Sequence, residues 1–458
     1  MAPNIRGWRS ILRRFQRRGV RFIERRAGRA LVADDMGLGK TLQAIAWLVR
    51  HPEARPALIV CPASVKHHWR RECQQYGNIA VTMLVGRTPH NPDGQVWIIN
   101  YSILAWWTTT LGDRKPRALI IDECHYVKNR AAKRTKACQK LARLCPNVIA
   151  LSGTPILSRP VEFFPVLNMI APRDFTSFWK YAMAYCDPKP GFRGRGWDFR
   201  GASHVGELSS RVGPYMIRRT KEEVLKELPQ KTRVTLPVEI DNRAEYIEAR
   251  EHFLRWLAKV GGKQAARRAA NAQHLVRLGK LKRLAAEGKL QSLKTWIKDW
   301  LEETGEKLVV FGRHRSIIGA LHDTFPAAAV ITGATPVDKR EAEIAAFRSD
   351  KRCRVFLGNI QAAGTGLDGL QRASSTVLFA ELGWTPAEHD QAEDRVLRIG
   401  QEADRCLIYY MIGLETIEEK VLAIVQKKRN IVNGILDGHG ARANVTHLLL
   451  DSMRREEQ

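Results

Sequence analysis

Two short segments in the first third of the chain combine residue types that bind phosphate groups. The first follows an apolar run and consists of Asp34, Asp35, Met36, Gly37, Leu38, Gly39, Lys40 and Thr41. Gly37 and Gly39 allow backbone N–H groups to approach phosphate oxygens, and Lys40 can neutralise the β- and γ-phosphates of a nucleotide. The Thr41 hydroxyl suits Mg²⁺ as a ligand. The pattern G-x-x-x-x-G-K-[ST] fails at its first glycine, where Asp34 stands, so a chance glycine turn is the alternative.

The second segment places two carboxylates directly after an apolar run. Residues 119–121 lead straight into Asp122, Glu123, Cys124 and His125. Asp122 can hold Mg²⁺ through its water shell, while Glu123 can polarise a water molecule for attack on phosphorus. An ordinary acidic turn at a strand end is the alternative, and the phosphate loop upstream argues against it. Together the two segments predict a site for ATP and Mg²⁺, with Thr41 and Asp122 as metal ligands.

A third block, near residue 395, contains two arginines that suit the same reaction. Gln391 opens the block, and Arg395 and Arg398 follow it. An arginine near the γ-phosphate stabilises the charge that develops in the transition state. Because Arg395 and Arg398 are three residues apart, a helix would turn both toward one side. The alternative is an exposed pair on a basic protein.

These candidates must be positioned by two sets of short apolar runs. The first set is 30–33, 58–60, 96–99, 119–121 and 148–151, and the second is 308–311, 328–331, 355–357, 377–379 and 407–411. Short β-branched runs separated by helix-length stretches are typical of βαβ units and parallel sheets. The sequence therefore predicts an α/β fold with two doubly wound lobes, whose ligands bind at the carboxyl ends of the strands.

The sequence between the two sets is of a different kind. Residues 160–187 are rich in aromatic residues and indicate a helical insertion with a small core of its own. Residues 251–300 contain twelve Lys and Arg against three acidic residues, which predicts either a solvated helix face or an element that contacts phosphates. The predicted division is a first lobe (1–158), a helical insertion and inter-lobe segment (159–232), a basic helical linker (233–300), a second lobe (301–430) and a C-terminal tail (431–458).

The composition favours an anionic partner. Lys and Arg number 75 against 47 Asp and Glu, which gives a formal net charge of +28. A charge this large repels itself unless an anion is near, and the nucleic-acid backbone is a common partner; a basic surface that serves solubility is the alternative. No segment has the ~20 apolar residues that span a bilayer. The eight cysteines show no C-x-x-C pair and no zinc spacing, which indicates free thiols in a reducing compartment.

Taken in order, the blocks resemble the Swi/Snf-type branch of the superfamily 2 helicases and translocases over nearly the whole chain. Residues 12–16 with Gly19 and Val20 are similar to the adenine-recognising Q motif, so the resemblance implies that Gln16 contacts the base. Residues 152–155 match motif III, and residues 361–366 resemble motif V. The residues implied in this way to couple hydrolysis to nucleic-acid contact are Ser152, Gly153, Thr154, Gly364, Gly366 and Gln391. The implied fold is two RecA-like parallel-sheet lobes with helical insertions between them.

Within that branch, the sequence is most similar to the HepA-related, or annealing-helicase, subgroup. The similarity lies in residues 196–199, 206–208, 361–366 and 378–384. Leu397 stands where the family usually has histidine, and the chain has no room for the accessory HepA-related repeats or zinc fingers of larger relatives. We therefore expect a compact prokaryotic or viral protein, cytoplasmic in a prokaryotic cell or virus-infected host and associated with DNA.

The resemblance implies an ATP-dependent DNA translocase, a nucleic-acid-stimulated ATPase that moves along duplex or branched DNA without sequence preference. Strand annealing and fork remodelling are further activities that it suggests. One alternative is a strand-separating helicase on DNA or RNA, for which Trp106 and Trp107 could stack bases. Another is a catalytically silent DNA-binding subunit. The chemically competent set Lys40, Thr41, Asp122, Glu123, Arg395 and Arg398 argues against the silent subunit.

Overall fold

The computed structural model describes residues 11–157, 159–190, 196–259, 278–360, 369–398 and 400–437. The described chain forms two compact units. The first comprises the residues up to Lys226 together with those from Lys428, and the second spans Glu227–Lys427. The boundary at Lys226 lies inside the predicted inter-lobe segment 159–232, so most of that segment folds with the first unit. The five-part division itself remains a prediction.

The first unit is built on a seven-stranded parallel sheet. The strands described in this unit, in chain order and including two outside the sheet, are β1 (Arg29–Val32), β2 (Ala57–Cys61), β3 (Val81–Met83), β4 (Val96–Asn100), β5 (Ala118–Asp122), β6 (Asn147–Leu151), β7 (Lys189–Pro190), β8 (Trp197–Asp198) and β9 (Met216–Ile217). The short strands β7 and β8 form a separate antiparallel pair. The other seven lie in the spatial order β3-β4-β2-β5-β6-β1-β9, all parallel.

Helices cover both faces of this sheet, which explains why most residues of its central strands are apolar and buried. They are α1 (Arg14–Arg25), α2 (Lys40–Arg50), α3 (Lys66–Gly77), α4 (Leu104–Asp113), α5 (Lys133–Leu144), α6 (Phe164–Ile170), α7 (Phe178–Tyr185), α8 (Val205–Val212) and α9 (Lys221–Val224). Successive strand residues point to opposite faces: Leu58 and Val60 pack into the core that includes α4 to α7, and Ile59 into the core that includes α1 to α3.

The second unit has a six-stranded parallel sheet. Its strands are β10 (Gln230–Val238), β11 (Leu308–Gly312), β12 (Ala329–Ile331), β13 (Val355–Asn359), β14 (Thr376–Phe379) and β15 (Arg405–Gly413). Their spatial order is β10-β15-β14-β11-β13-β12. The helices of this unit are α10 (Arg243–Lys259), α11 (described over 278–288), α12 (Leu290–Thr304), α13 (Arg315–Thr324), α14 (Val337–Ser349) and α15 (Pro386–Glu393).

The last described helix, α16 (Ile417–Asp437), is shared by the two units. Its residues up to Lys427 belong to the second unit, and those from Lys428 belong to the first. Val432, Ile435 and Leu436 are buried in the core of the first unit. No helix within the described ranges is long and apolar enough to cross a bilayer.

All ten predicted apolar runs are strands, and the predicted α/β fold with two parallel-sheet lobes is confirmed. The sequence did not predict β3, β9 or β10. β10 lies at the edge of its sheet and alternates between more and less exposed residues, so its polar sequence resembled a linker. Its Pro237 is compatible with an edge strand, because a strand that pairs on one side needs fewer backbone donors.

For two lysines of the basic stretch 251–300, neither of the two predicted alternatives, a solvated helix face or a contact with phosphates, holds. Lys282 and Lys289 are buried in the second unit. Lys282 Nζ donates to the Leu382 carbonyl at 2.6 Å, and Lys289 Nζ lies 2.6 Å from Glu418 Oε2. Both ammonium groups therefore serve the fold of the unit rather than a phosphate backbone. Residues 260–277 of this stretch lie outside the described residues.

Candidate active site

Three of the predicted chemical segments follow three neighbouring strands of the first sheet. The phosphate loop follows β1, Asp122 ends β5, and Ser152 follows β6. In the sheet these strands are adjacent, in the order β5-β6-β1, and parallel. The carboxyl ends of parallel strands lie at one edge, so the fold brings the three segments together there.

The phosphate loop has the backbone shape that anion binding requires. Gly37 and Gly39 have φ angles of 82° and 73°, a left-handed conformation that favours glycine. Helix α2 begins at Lys40, so its unpaired N–H groups lie at the end of the loop. Lys40 Nζ donates to the carbonyl oxygens of Asp34 at 2.7 Å and Asp35 at 3.1 Å. The other loop residues are placed as follows: Leu38 is buried, and Met36 and Thr41 are half-buried.

Asp34, which replaces the first glycine of the motif, has a buried side chain with structural partners. Arg219 Nε donates to Asp34 Oδ1 at 2.8 Å, and Gln43 Nε2 donates to Asp34 Oδ2 at 3.0 Å. Arg219 also donates to the Phe15 carbonyl. The Asp34 carboxylate is therefore engaged by protein donors, and only its backbone carbonyl contacts Lys40. Sequence reasoning missed the roles of Gln43 and Arg219, because no local pattern links residues so far apart.

Gln16, the expected base contact, packs directly against the phosphate loop. Its Nε2 donates to the Leu38 carbonyl at 3.1 Å, and its Oε1 accepts from the Arg13 backbone N–H at 2.8 Å. An open cavity of about 390 Å³ lies beside the chain neighbours of Gln16, and Gln16 itself does not line it. The lining residues are Arg13, Arg14, Phe15, Arg18, Glu223 and Val224. Gln16 thus has a positioning contact with the loop, and its contact with a base remains a prediction.

The two carboxylates after β5 have opposite electrostatic surroundings. Trp69 Nε1 donates to Asp122 Oδ2 at 2.7 Å, and the Glu123 backbone N–H donates to Asp122 Oδ1 at 3.0 Å. Burial, followed by the charge of Glu123, raises the pKa of Asp122. Burial opposes ionisation of Glu123 as well, but the hydrogen bond and charge of His125, with Lys40 and Ser152, outweigh it and lower the pKa of Glu123. Glu123 is therefore the stronger acid of the pair.

A short hydrogen-bonded chain joins Glu123 to the segment after β6. Ser152 Oγ donates to Glu123 Oε2 at 3.2 Å, and His125 Nδ1 lies 3.1 Å from Ser152 Oγ and 3.3 Å from Glu123 Oε2. The Thr154 backbone N–H donates to Ser152 Oγ at 3.2 Å. Any movement of Ser152 therefore alters the donors around Glu123. The sequence shows that His125 belongs to the segment Asp122–His125, but it does not indicate that this histidine contacts Ser152 and Glu123.

Gly153 brings the same segment against the phosphate loop. A Cβ atom at this position would lie 2.7 Å from Met36 Cγ and 3.4 Å from Lys40 Nζ. A larger residue would push the loop away, so this close approach requires glycine. The structure thus brings together the predicted residues Asp35, Lys40, Asp122, Glu123, Ser152 and Gly153.

The predicted residues of the arginine block lie in the second unit. Gln391 is in α15, which ends at Glu393, so Arg395 and Arg398 lie in the turns after it. The prediction that one helix presents both arginines is therefore wrong. Both side chains are half-buried. Leu397, the departure from the family pattern, is buried in the core of the unit. Gly364 and Gly366 lie outside the described residues.

Comparison with protein families identifies the chain. Residues 15–284 match the model described as SNF2-related domain, which is more than half of the 458 residues. The chain belongs to the SNF2-related family. Residues 288–400 match the helicase conserved C-terminal domain. These matches confirm the predicted resemblance, agree with the predicted class of helicase-type ATPases, and imply ATP use.

Curated relatives support the predicted similarity to the annealing-helicase subgroup. The DNA annealing helicase and endonuclease ZRANB3 of Mus musculus is 34% identical over 454 residues, covering 96% of this chain and 42% of the relative. The SWI/SNF-related matrix-associated actin-dependent regulator of chromatin subfamily A-like protein 1 of Xenopus tropicalis is 32% identical over 432 residues, covering 92% and 45%. The chain spans less than half the length of these relatives.

Among solved structures, the Sulfolobus solfataricus SWI2/SNF2 ATPase core in complex with dsDNA is 23% identical. The match covers 95% of this chain and 97% of that chain, with a TM-score of 0.45.

The expected source and location need correction. The two named relatives are animal proteins, and further matches with the same names come from cow, human, worm and fly. The prediction of a prokaryotic or viral protein in a cytoplasmic location is therefore wrong. The part of the prediction that concerned association with DNA agrees with relatives whose names refer to DNA or chromatin.

Proposed function

We propose that this chain is an ATP-dependent translocase that moves along duplex or branched DNA. The main support is the meeting of three segments at one edge of the first sheet. There Gly153 lies against Met36 and Lys40 of the phosphate loop, and Ser152 Oγ donates to Glu123 Oε2 and lies 3.1 Å from His125 Nδ1. Such an arrangement can bind a nucleotide and transmit a change at its γ-phosphate to a neighbouring segment.

In this proposal each residue has a distinct role. The N–H groups of the loop and Lys40 hold the phosphates, and Glu123 polarises the attacking water. Thr41 and Asp122 would hold Mg²⁺, because this ion prefers oxygen ligands and both side chains supply oxygen. The Asp122 carboxylate, which accepts from the Glu123 backbone N–H, lies at the same edge of the sheet as the phosphate loop. When bound, the ion neutralises charge on the phosphates. Arg395 and Arg398 stabilise the charge of the transition state, and Ser152, Gly153, Thr154, Gly364, Gly366 and Gln391 couple hydrolysis to DNA contact.

DNA is proposed as the partner on three grounds. The formal charge of +28 favours a polyanion, the family is SNF2-related, and the relatives are named as acting on DNA or chromatin. A protein that tracks a duplex contacts mainly phosphates, which contain little sequence information. Binding is therefore expected to be nearly independent of sequence and to weaken steeply as salt rises. Annealing and fork remodelling would follow from such movement on branched DNA.

The experiment is a steady-state ATPase assay without nucleic acid and with duplex DNA, forked DNA, single-stranded DNA or RNA. The test variant is Glu123→Gln, and the matched control is Glu222→Gln, an exposed glutamate of the same unit. We expect stimulation mainly by duplex or forked DNA that is lost in Glu123→Gln and retained in the control. Turnover that no nucleic acid changes, or no turnover at all, would refute the proposal.

A strand-separating helicase is the competing function, and the same assay distinguishes it. Stimulation mainly by single strands or RNA would favour it. Of the two tryptophans suggested as its stacking residues, Trp107 is buried and donates from Nε1 to the Gly86 carbonyl at 3.0 Å, while Trp106 is exposed. Of these two tryptophans, Trp106 is therefore the one whose ring is accessible to a base.

A further inference from the structure

Two exposed tryptophans lie side by side on the first unit. Trp179 belongs to α7 and has 51% of its surface exposed, and Trp197 belongs to β8 and has 45% exposed. Their ring centroids are 6.3 Å apart. About half of each tryptophan is therefore in contact with water, and the two together form an apolar patch that is available to a ligand.

Aromatic packing supports Trp179 from within the unit. The Phe199 ring lies 5.5 Å from Trp179 at 88° and 5.8 Å from Phe178 at 87°. The Arg130 guanidinium covers the Phe178 ring at 4.0 Å. Phe199 and Phe178 are therefore occupied by their neighbours, and the two tryptophans remain as the rings that a ligand can reach.

The angle between the tryptophan rings decides what kind of ligand fits. Their planes are 86° apart, so neither ring stacks flat on the other. A flat aromatic ligand can therefore stack on a tryptophan face without displacing the second ring. Nucleobases are flat aromatic groups, and they stack on exposed protein aromatics with little dependence on base identity.

The charges around the pair favour a ligand that also contains phosphate. Lys180 follows Trp179 and Arg200 lies three residues after Trp197, while Lys189 is opposite Asp198 in the β7–β8 pair; all three are exposed. Lys189 lies 3.2 Å from Asp187, and Arg200 is paired with Asp198. The exposed cations Arg130 and Lys180 add to these two pairs, so the surface has an excess of positive charge. An acidic backbone with aromatic bases meets both the charge and the shape of this surface.

We propose that Trp179 and Trp197 form a stacking site for the unpaired nucleobases of DNA. This proposal rests on the DNA-directed function proposed above. It adds a contact that a continuous duplex cannot make, because the faces of paired bases are already stacked on neighbouring pairs. The site would give the chain higher affinity for DNA in which a duplex adjoins a single-stranded segment.

The test compares two dissociation constants at one salt concentration: for a blunt duplex and for the same duplex with a single-stranded tail. The variant is Trp179→Ala with Trp197→Ala. The matched control is Leu144→Ala, which removes another large exposed apolar side chain of the same unit. We expect the double variant to lose roughly tenfold or more of the preference for the tailed duplex, and the control to keep it. Trp179→Phe with Trp197→Phe retains rings and should keep most of it.

A 2-aminopurine base in the tail, next to the duplex, supplies a second measurement. Stacking on tryptophan changes its fluorescence, and we expect this change with the wild type and not with the double alanine variant. The proposal would be overturned if the double variant kept the full preference for the tailed duplex. It would also be overturned if the wild type showed no such preference. Both measurements report binding without turnover. A wild type that binds tailed DNA through these rings but shows no DNA-stimulated ATPase would refute the translocase function and leave the stacking site intact.

Discussion

Asp34 and Arg219 are 185 residues apart in the chain and form a buried ion pair, with Arg219 Nε donating to Asp34 Oδ1 at 2.8 Å. The pair joins the start of the phosphate loop to the segment that follows β9. Gln43 completes it by donating to Asp34 and accepting from Arg219 at 3.1 Å. The residue that departs from the phosphate-loop pattern is therefore one that holds the loop in place.

Replacement of Asp34 by glycine restores the pattern and should nevertheless destabilise the protein. Asp34→Gly leaves the Arg219 guanidinium in a mostly buried position without its carboxylate, which costs about 3–5 kcal/mol. Urea unfolding of the full chain should show the first unit unfolding at lower denaturant. The control Asp113→Asn changes an exposed aspartate of the same unit and should leave the midpoint unchanged. Equal midpoints for Asp34→Gly and the wild type would show that the pair contributes nothing.

Ser152 should affect catalysis more than nucleotide binding. Ser152→Ala removes the donor to Glu123 Oε2 and the acceptor of the Thr154 N–H. Loss of one such hydrogen bond, about 1.4 kcal/mol in the transition state, lowers kcat about tenfold. We expect kcat with duplex DNA to fall while the dissociation constant for nucleotide changes little. Ser210→Ala, at an exposed serine of α8, is the control. A variant that weakens nucleotide binding and keeps kcat would contradict the proposed coupling role.

The buried pair between Lys289 and Glu418 should be more sensitive to single than to double replacement. Both side chains are fully buried, and Lys289 Nζ also donates to the carbonyls of Ala380 at 2.9 Å and Met411 at 2.7 Å. Lys289→Met leaves Glu418 without its cation and should lower the free energy of unfolding of the second unit by about 3–5 kcal/mol. Lys289→Met with Glu418→Leu should recover part of this loss, because no unpaired charge then remains.

The exposed pair of Arg283 and Glu287 in α11 supplies the control for this comparison. Its two side chains are 2.7 Å apart on the surface of the same unit. Arg283→Gln should leave denaturant unfolding unchanged, since exposed pairs contribute little. Glu418→Leu alone is the second single variant. If the double variant loses as much stability as Lys289→Met and Glu418→Leu lose in sum, the two groups act independently and the ion pair is not the source of the effect.

Glu381 should make the second unit sensitive to acid. Its carboxylate accepts from the backbone N–H groups of Arg313 at 2.7 Å and His314 at 2.8 Å, and His314 Nδ1 lies 2.5 Å away. Burial opposes its ionisation, but the His314 hydrogen bond and charge, with the two N–H groups, outweigh burial and lower the pKa of Glu381. Because the pKa of Glu381 is lower in the folded state, its carboxylate stabilises the folded protein fully at pH values above the ordinary pKa of 4.5. This stabilisation is lost as the pH falls through the lowered pKa.

The measurement is the free energy of unfolding as a function of pH for the wild type and Glu381→Gln. Below about pH 4.5 the wild type should lose stability more steeply than the variant, which has no group to protonate at this position. Glu302→Gln, at an exposed residue of α12, should follow the wild-type curve. Parallel curves for the wild type and Glu381→Gln would remove Glu381 from the acid response.

The parts of the structure that could be predicted from the sequence are those encoded over short distances. Each apolar run became a strand because a strand buried on both faces needs only a few consecutive apolar residues. The glycines around Lys40 and the carboxylates after 119–121 each define their own local geometry. Parallel strands then fix where these segments meet, so the active-site edge followed from strand order without knowledge of side-chain contacts.

The parts that escaped prediction depend on contacts between distant residues. Nothing near Arg219 indicates that Asp34 is its partner. Lys282 and Lys289 belong to a run of basic residues that resembles a solvated surface, and only the packing of α11 and α12 against their unit shows that the two side chains point inward. The turn at Arg395 was mistaken for helix because the spacing of its arginines fits either conformation.

The last helix has a consequence for how the protein is made. Val432, Ile435 and Leu436 fill part of the core of the first unit, although more than two hundred residues separate them from Lys226. A ribosome that has released residues up to Lys226 has therefore not yet supplied all of that core. The unit that is synthesised first is the one completed last, and a truncated chain that ends at Lys226 leaves an apolar surface uncovered and prone to aggregation.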